Sequence, residues 1–363
     1  MDMICTYPLI LLYSFFYCFS ESFPQAFILL TQNKIIYISR NKNMKIYPLK
    51  LKPVMKNAIW GGKQIPLLYS IGEPGQSCAE AWMLTLREDG DNVIENGPCT
   101  GMTLGEYVKL AGSDKVYGNG KFPLLIKIID AADRLSVQVH PDDVYASQHG
   151  LDAGKTEMWY ILDAHSGATL VNGIKPGVTP EQIKKAAESG NCEQYLNTVP
   201  VKKGDCFFIP AGLVHAIGEG ILIAEIQQNS NTTYRLYDYD RTDKNGNKRE
   251  LHTDKASQVI KTSFDTKKVT VNKSITASNG VTAKILCECP MFSASSICIS
   301  AGNKFNFSKS GHMLHIMCVS GSGVLESDNV KYSINKGDSY LLPLALSDAC
   351  AKAVSDMELI ISH

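Results

Sequence analysis

The sequence predicts an all-β protein made of two related β barrels or sandwiches with one small helical element. Three observations carry this. From Met44 onward, short apolar or alternating runs are separated by Gly, Pro, Asn and Asp: FPLLIKIIDA (122–131), LSVQVHP (135–141), EMWYILDA (157–164), CFFIPAG (206–212) and ILIAEIQQ (221–228). Strands this short and this closely spaced are the pattern of sandwiches and barrels. Second, KGDCFFIP at 203–210 is echoed by KGDSYLLP at 336–343, 133 positions later. Both read K-G-D-x-aromatic-x-x-P, which points to a duplicated β domain. Third, one segment alone, TPEQIKKAAESG (179–190), carries clear helix signals. Thr179 can cap it, Pro180 suits its first turn and Gly190 can end it.

Along the chain, residues 1–43 differ from the rest. Ile4–Phe19 is an uncharged run of 16 residues, shorter than the roughly 20 a spanning helix needs. Pro8 interrupts it, and Asp2 rather than a basic residue precedes it, unlike a secretory signal. Residues 1–43 are read as an extension that is untranslated or disordered, with a membrane anchor as the alternative. The functional chain is expected to begin at Met44. Residues 44–262 form a first β domain, with the short helical segment at 179–197. The polar stretch 229–262 reads as an extended loop, leading to a linker near 262–272. Residues 270–363 form a second domain of short β runs.

Lys plus Arg and Asp plus Glu both number 36, so the formal charge is zero. That balance gives no electrostatic reason to bind nucleic acid or an anionic membrane, so an anionic ligand must be met by a local basic cluster. Apolar residues make up 44%, enough for a sizeable core. The 11 cysteines are scattered, with Cys287-x-Cys289 as the close pair and no C-x-x-C. Reduced thiols in the cytoplasm follow. No G-x-G-x-x-G or P-loop pattern suggests a nucleotide.

Three motifs carry chemistry. In the first repeat, Gly204, Pro210, Gly212 and His215 form G-x5-P-x-G-x2-H: a tight turn, a strand, a bend, then a histidine delivered inward. The second repeat has no histidine after Pro343. In Ser136-Val137-Gln138-Val139-His140, period-2 alternation puts Ser136, Gln138 and His140 on one face and Leu135, Val137 and Val139 on the other. Such a polar face suits water or a metal. In Gly154-Lys155-Thr156-Glu157, Lys155 and Glu157 share a face, and Glu157 is a hard oxygen ligand. Together Gln138, His140, Glu157 and His215 offer two imidazoles, a carboxylate and an amide, a set suited to zinc or another divalent ion. Glu225, between Ala224 and Ile226 in an apolar strand, is a buried carboxylate that needs a partner or a task. Arg235 lies in a polar run and reads by itself equally well as a solvated arginine.

The G-x5-P-x-G-x2-H motif resembles the second motif of the cupin superfamily, small jelly-roll barrels that hold a metal inside. Gln138 where cupin oxygenases carry a histidine, and Glu157 lying 17 positions after His140, argue for Lewis-acid work rather than oxygen activation. LSVQVHPDD, GKTEMWY and PAGLVHAIG, in that order, are similar to the type I phosphomannose isomerases in their short bacterial form. Asn57-Ala58-Ile59-Trp60-Gly61-Gly62, Ala79-Glu80-Ala81-Trp82, Phe122–Lys127, and Glu225 with Arg235 ten positions on add to the likeness. It spans about 44–363 and is densest in the first half.

The resemblance implies two cupin barrels, the second without metal ligands. It implies one Zn2+ per chain, or another divalent ion, held by Gln138, His140, Glu157 and His215. It implies Arg235, Glu225 and Lys155 as catalytic groups, and Ser136, Lys127 and Trp60 around a small sugar phosphate. The activity implied is the interconversion of mannose 6-phosphate and fructose 6-phosphate through an enediol, in a cytoplasmic monomer or homodimer. A sugar-phosphate-binding cupin without turnover and a cupin oxygenase are the alternatives.

Overall fold

The computed structural model describes residues 26–31, 34–39, 45–242, 245–264, 274–278, 280–307 and 311–363. The chain divides at residues 45 and 46 into two units. In the first, the described residues form an antiparallel hairpin, Ala26–Thr31 with Lys34–Ser39. The uncharged run 4–19 and residues 265–272 of the expected linker lie outside the described residues. Among the described residues no helix is long and apolar enough to cross a membrane.

The second unit is all-β with short helices. Its first half supplies β1 (Leu49–Lys52), β2 (Val54–Lys56), β3 (Glu80–Leu84), β4 (Val93–Ile94), β5 (Leu124–Ala131), β6 (Val137–Val139), β7 (Glu157–Ala164), β8 (Thr169–Ile174), β9 (Leu196–Pro200), β10 (Cys206–Ile209), β11 (His215–Ala216), β12 (Ile221–Gln228) and β13 (Tyr234–Tyr237). Two sheets result, ordered β10-β7-β12-β5-β3-β2 and β9-β8-β11-β6-β13. All eight residues of β5 are buried, as expected of a central strand covered on both faces and read from a nearly continuous apolar run. Ile129, Leu135, Trp159, Ile161, Phe207, Ile209, Leu213, Ile217 and Ile223 pack into one core cluster.

The outer face of the five-stranded sheet is covered by helices. α1 (Pro180–Glu188) starts in a capping box, Thr179 with Gln182, with Pro180 in its first turn. Cys192–Tyr195 is a single 3-10 turn, and the chain then enters β9. The stretch 229–262, expected as an extended loop, instead holds β13 and a second helix, α2 (Thr253–Val259). Burial explains the difference: Tyr234, Leu236, Ala256 and Val259 join Val137, Val139, Ile183 and Ala187 in a second core cluster. That cluster also corrects the expected alternation. Val137 and Val139 share it, whereas Leu135 lies in the first cluster, because the regular strand begins at Val137 and its pairing with β13 shifts register there.

The second half adds β14 (Ser274–Ser278), β15 (Val281–Glu288), β16 (Ser293–Ile299), β17 (Lys304–Phe307), β18 (Leu314–Ser320), β19 (Ser322–Ser327), β20 (Val330–Asn335), β21 (Ser339–Leu342), β22 (Ala349–Ala353) and β23 (Met357–Ser362). One sheet is ordered β17-β22-β19-β20 and the other β14-β15-β16-β23-β18-β21-β1-β4. The larger sheet is thus completed by β1 and β4 from the beginning of the unit.

The two repeated turns fold alike, bond for bond. In the first, Gly204 N donates to Ile161 O (2.8 Å), Ile161 N to Asp205 O (2.9 Å), and Lys202 N to the Asp205 carboxylate (2.9 Å). In the second, Gly337 N donates to Cys318 O (2.9 Å), Cys318 N to Asp338 O (3.0 Å), and Asn335 N to the Asp338 carboxylate (2.9 Å). Gly204 and Gly337 both take positive φ, 85° and 95°, which a side chain resists. This alignment sets Leu314 opposite Glu157 and Asp348 opposite His215.

Candidate active site

Cross-strand register lines two facing rows. On the six-stranded sheet, Trp82 pairs with Lys127, Lys127 with Glu225 and Glu225 with Trp159, so these side chains share a face. Glu157, two residues before Trp159, shares it as well. On the five-stranded sheet, Asn172 pairs with His215, His215 with Gln138 and Gln138 with Arg235. His140 follows at the end of β6.

The rows meet at three buried groups, His140, Glu157 and His215, whose ligand atoms all lie within 4.8 Å of one another. His215 sits there because Gly212, at φ 94°, bends the chain where a side chain would strike Lys261 and the Val259 carbonyl. Each imidazole donates Nδ1–H to a backbone carbonyl, His140 to Thr232 O (2.9 Å) and His215 to Leu213 O (2.8 Å). A carbonyl only accepts, so the bare nitrogen of each neutral ring is Nε2. The two Nε2 atoms are 3.1 Å apart. Burial, then the charges of Lys155 and His215, hold His140 well below the usual histidine range. Burial also brings His215 down to about 4. Both rings therefore stay neutral and face each other lone pair to lone pair.

Glu157 completes the cluster, 3.3 Å from His215 Nε2 and 3.6 Å from His140 Nε2. Its Oε1 has no hydrogen-bond donor, and its Oε2 meets only the Lys155 ammonium. Burial, then the charge of Glu225, pushes its carboxyl up to about 7 against the pull of Lys155. Four convergent acceptors with one ammonium between them fit a divalent cation, and the second-nitrogen bonds of both rings are those that orient metal ligands. Gln138 Nε2 lies 3.3 Å from His215 Nε2; turning the amide over presents its oxygen to the same place. Lys155 Nζ reaches the cluster too, 3.0 Å from Glu157 Oε2 and 3.1 Å from His140 Nε2.

Beside the cluster, Glu225 is 3% exposed. Trp159 Nε1 donates to its Oε2 at 2.9 Å, and Lys127 Nζ lies 3.1 Å from its Oε1. Burial alone would raise this carboxyl, but Lys127, Lys155 and the indole outweigh it and hold it at about 2. Lys127, expected at the sugar phosphate, is instead bracketed by Glu225 and by Glu80 at 3.5 Å. Burial disfavours its charge, yet those carboxylates keep it above the ordinary lysine value. The Ser136 side chain is buried, and Trp60, also expected at the substrate, is buried in the core cluster with Trp159. Arg235 donates from Nη1 to Glu250 O at 2.8 Å, and its buried Nε has no partner. Sequence reasoning missed Glu80, which lies in a quoted motif, and Trp159, which shares Glu157's face two residues on. Glu80 touches the site through Lys127, and Trp159 through Glu225 and edge-on against His215, contacts that strand alternation does not reveal.

The comparisons decide the family. Residues 48–176 match the model for the type I phosphomannose isomerase catalytic domain, and residues 282–363 that for the mannose-6-phosphate isomerase cupin domain. The mannose-6-phosphate isomerase ManA of Bacillus subtilis (strain 168) is 40% identical over 332 residues, covering 88% of this chain and 100% of the relative. This chain belongs to the mannose-6-phosphate isomerase family. A crystal structure of mannose 6-phosphate isomerase from Bacillus subtilis covers 87% of the chain and 99% of its own, at 33% identity and a TM-score of 0.79. A mannose 6-phosphate isomerase structure described as holo and zinc bound shares the fold, with a TM-score of 0.69 at 16% identity, over 87% of this chain and 99% of that one. The all-β cupin reading and the family resemblance both hold.

Proposed function

We propose that the protein interconverts mannose 6-phosphate and fructose 6-phosphate through an enediol, with one zinc ion per chain held by His140, Glu157, His215 and Gln138. The observation that carries this reading is the convergence of the buried His140, Glu157 and His215 ligand atoms within 4.8 Å of one another, set between Lys155 and the Glu225–Lys127 pair. Family membership supports the substrate, and the donor set suits zinc, with another divalent ion as the alternative occupant. A divalent ion bound there would polarise the sugar oxygens and offset the negative charge of the enediolate.

The chain's own groups divide the remaining work. Lys155, against the ligand cluster, carries the proton between C1 and C2. Glu225, fixed and ionised, accepts a sugar hydroxyl at Oε1. Lys127 and Trp159 keep it charged and aimed. Arg235, in register with Gln138, donates to the oxygens on which charge develops. The Ser136 hydroxyl contacts the sugar. Trp60 backs the site from the core.

The partner is this small sugar phosphate, with no nucleic acid or membrane partner, and the protein acts as a monomer or homodimer in the cytoplasm. The nine described cysteines are free thiols, which suits that compartment. The test is a coupled isomerase assay on the full chain with mannose 6-phosphate, before and after chelation and zinc return. Activity lost to the chelator and restored by zinc supports the proposal. Tight metal binding with no ketose formed rejects it in favour of a sugar-phosphate-binding cupin.

A further inference from the structure

Among the described residues β13 is the edge strand of its sheet, with β6 as its one neighbour. An edge leaves N–H and C=O groups without strand partners. At Arg235 both groups are taken by one residue. His252 N donates to Arg235 O at 2.7 Å, and Arg235 N donates to His252 Nδ1 at 3.2 Å. These are the two bonds an antiparallel neighbour would make, with a ring nitrogen in place of the carbonyl. Glu250 O accepts from Arg235 Nη1 at 2.8 Å, so residues 250–252 grip both the backbone and the guanidinium. His252 is itself anchored at the start of α2, where its carbonyl accepts from Ala256 N at 2.8 Å.

We propose that His252 is a positioning residue that sets Arg235 for catalysis by standing in for a missing strand. This rests on Arg235 acting at the substrate. The role needs Nδ1 bare, hence a neutral ring with its proton on Nε2. Burial, the largest influence, keeps the imidazole below its ordinary range and favours that form. Arg235 has the freedom to use such alignment. The neighbouring Arg241 and Arg249 are spent on Asp238, at 2.6 and 2.5 Å. Among the described residues Arg235 has no carboxylate partner. Asn at position 252 keeps an acceptor within similar reach, whereas Leu and Phe remove it.

The experiment is steady-state kinetics of the zinc-loaded full chain for the wild type, H252N, H252L, R235K and the H252L/R235K double variant, with melting temperatures alongside. H252L is expected to lower kcat about 10- to 100-fold, as a misplaced catalytic group does, with KM little changed. H252N should retain most activity, and H252L should cost nothing further once Arg235 is Lys. If H252L does not fold, H252F replaces it, since Phe keeps a ring without the acceptor. A well-folded H252L or H252F with wild-type kcat, or one whose loss persists in full in the R235K background, overturns the inference. Wild-type activity in R235K shows that the reading of Arg235 is what failed, and removes the inference with it.

Discussion

Lys127 carries its charge into a place where carboxylates alone can hold it, and the consequence falls on Glu225. Replacing Lys127 with Met leaves a buried carboxylate uncompensated, which costs about 3–5 kcal/mol; urea unfolding of K127M against wild type checks this. Glu157→Gln removes the charge of a proposed metal ligand, and kcat is expected to fall more than about 100-fold, with bound metal lost in parallel, since even outer-shell partners are worth 10- to 100-fold. Metal analysis after dialysis, beside the assay, separates binding from chemistry. His315 yields a pH prediction. Its Nε2 bonds Ser339 Oγ at 2.8 Å, and its Nδ1 is buried without a partner. Burial takes its pKa down to about 3. The folded value lies below the unfolded one, so the unfolded chain binds more protons between about pH 3 and 6.5. Stability is therefore full above that window and falls as pH drops through it, by about 2 kcal/mol at pH 5. In metal-free protein, His315→Leu should flatten this slope, measured as the urea midpoint against pH. That Gln138, His140, Glu157 and His215 would face one place was legible in the sequence, because alternation and motif spacing mark inward-facing polar residues. The pairing of Lys127 was not, because Glu80 and Glu225 come from two different strands beside it.

The helix α1 was readable because its signals are local. Thr179, Pro180 and Gln182 lie within four residues and form the capping box that the structure shows. Thr179→Ala should cost about 0.5–2 kcal/mol, seen as a lower melting temperature with kcat unchanged, since the helix touches the outer face of the sheet. β13 and α2 were not readable. β13 has four residues in a polar stretch, and α2 has seven with an N-cap lacking a side-chain bond. What forms them is burial of Tyr234, Leu236, Ala256 and Val259 in a cluster assembled from distant segments. The duplicated turn lies between these cases. Its sequence echo pointed to two related domains, and the bonds around Gly204 and Gly337 match. In the second copy Leu314 and Asp348 stand where Glu157 and His215 stand in the first. There Leu314 lines a cavity of about 160 Å³ with Leu342, Pro343, Leu344 and Leu346.

Across the whole second unit, the two sandwiches are joined by more than a linker. Ser339 Oγ donates to Met83 O at 2.6 Å, Tyr160 OH to the Glu358 carboxylate at 2.9 Å, and Cys206 Sγ to Leu286 O at 3.3 Å. We propose 44–262 as the catalytic part and 270–363 as its support. β1 nevertheless pairs with β21, Leu49 opposite Leu341 and Leu51 opposite Ser339. A chain ending at Thr262 is therefore expected to be insoluble or molten, because β1 and the faces of Met83 and Tyr160 lose their partners; far- and near-UV circular dichroism of that truncation tests it. The same pairing imposes an order on biosynthesis. Leu51 leaves the ribosome 288 residues before Ser339, its partner. At roughly 5–20 residues per second the early strand waits about 15–60 s with an edge unfilled. During that interval it depends on chaperones or on charges such as Lys50 and Lys52 to keep neighbouring nascent chains away.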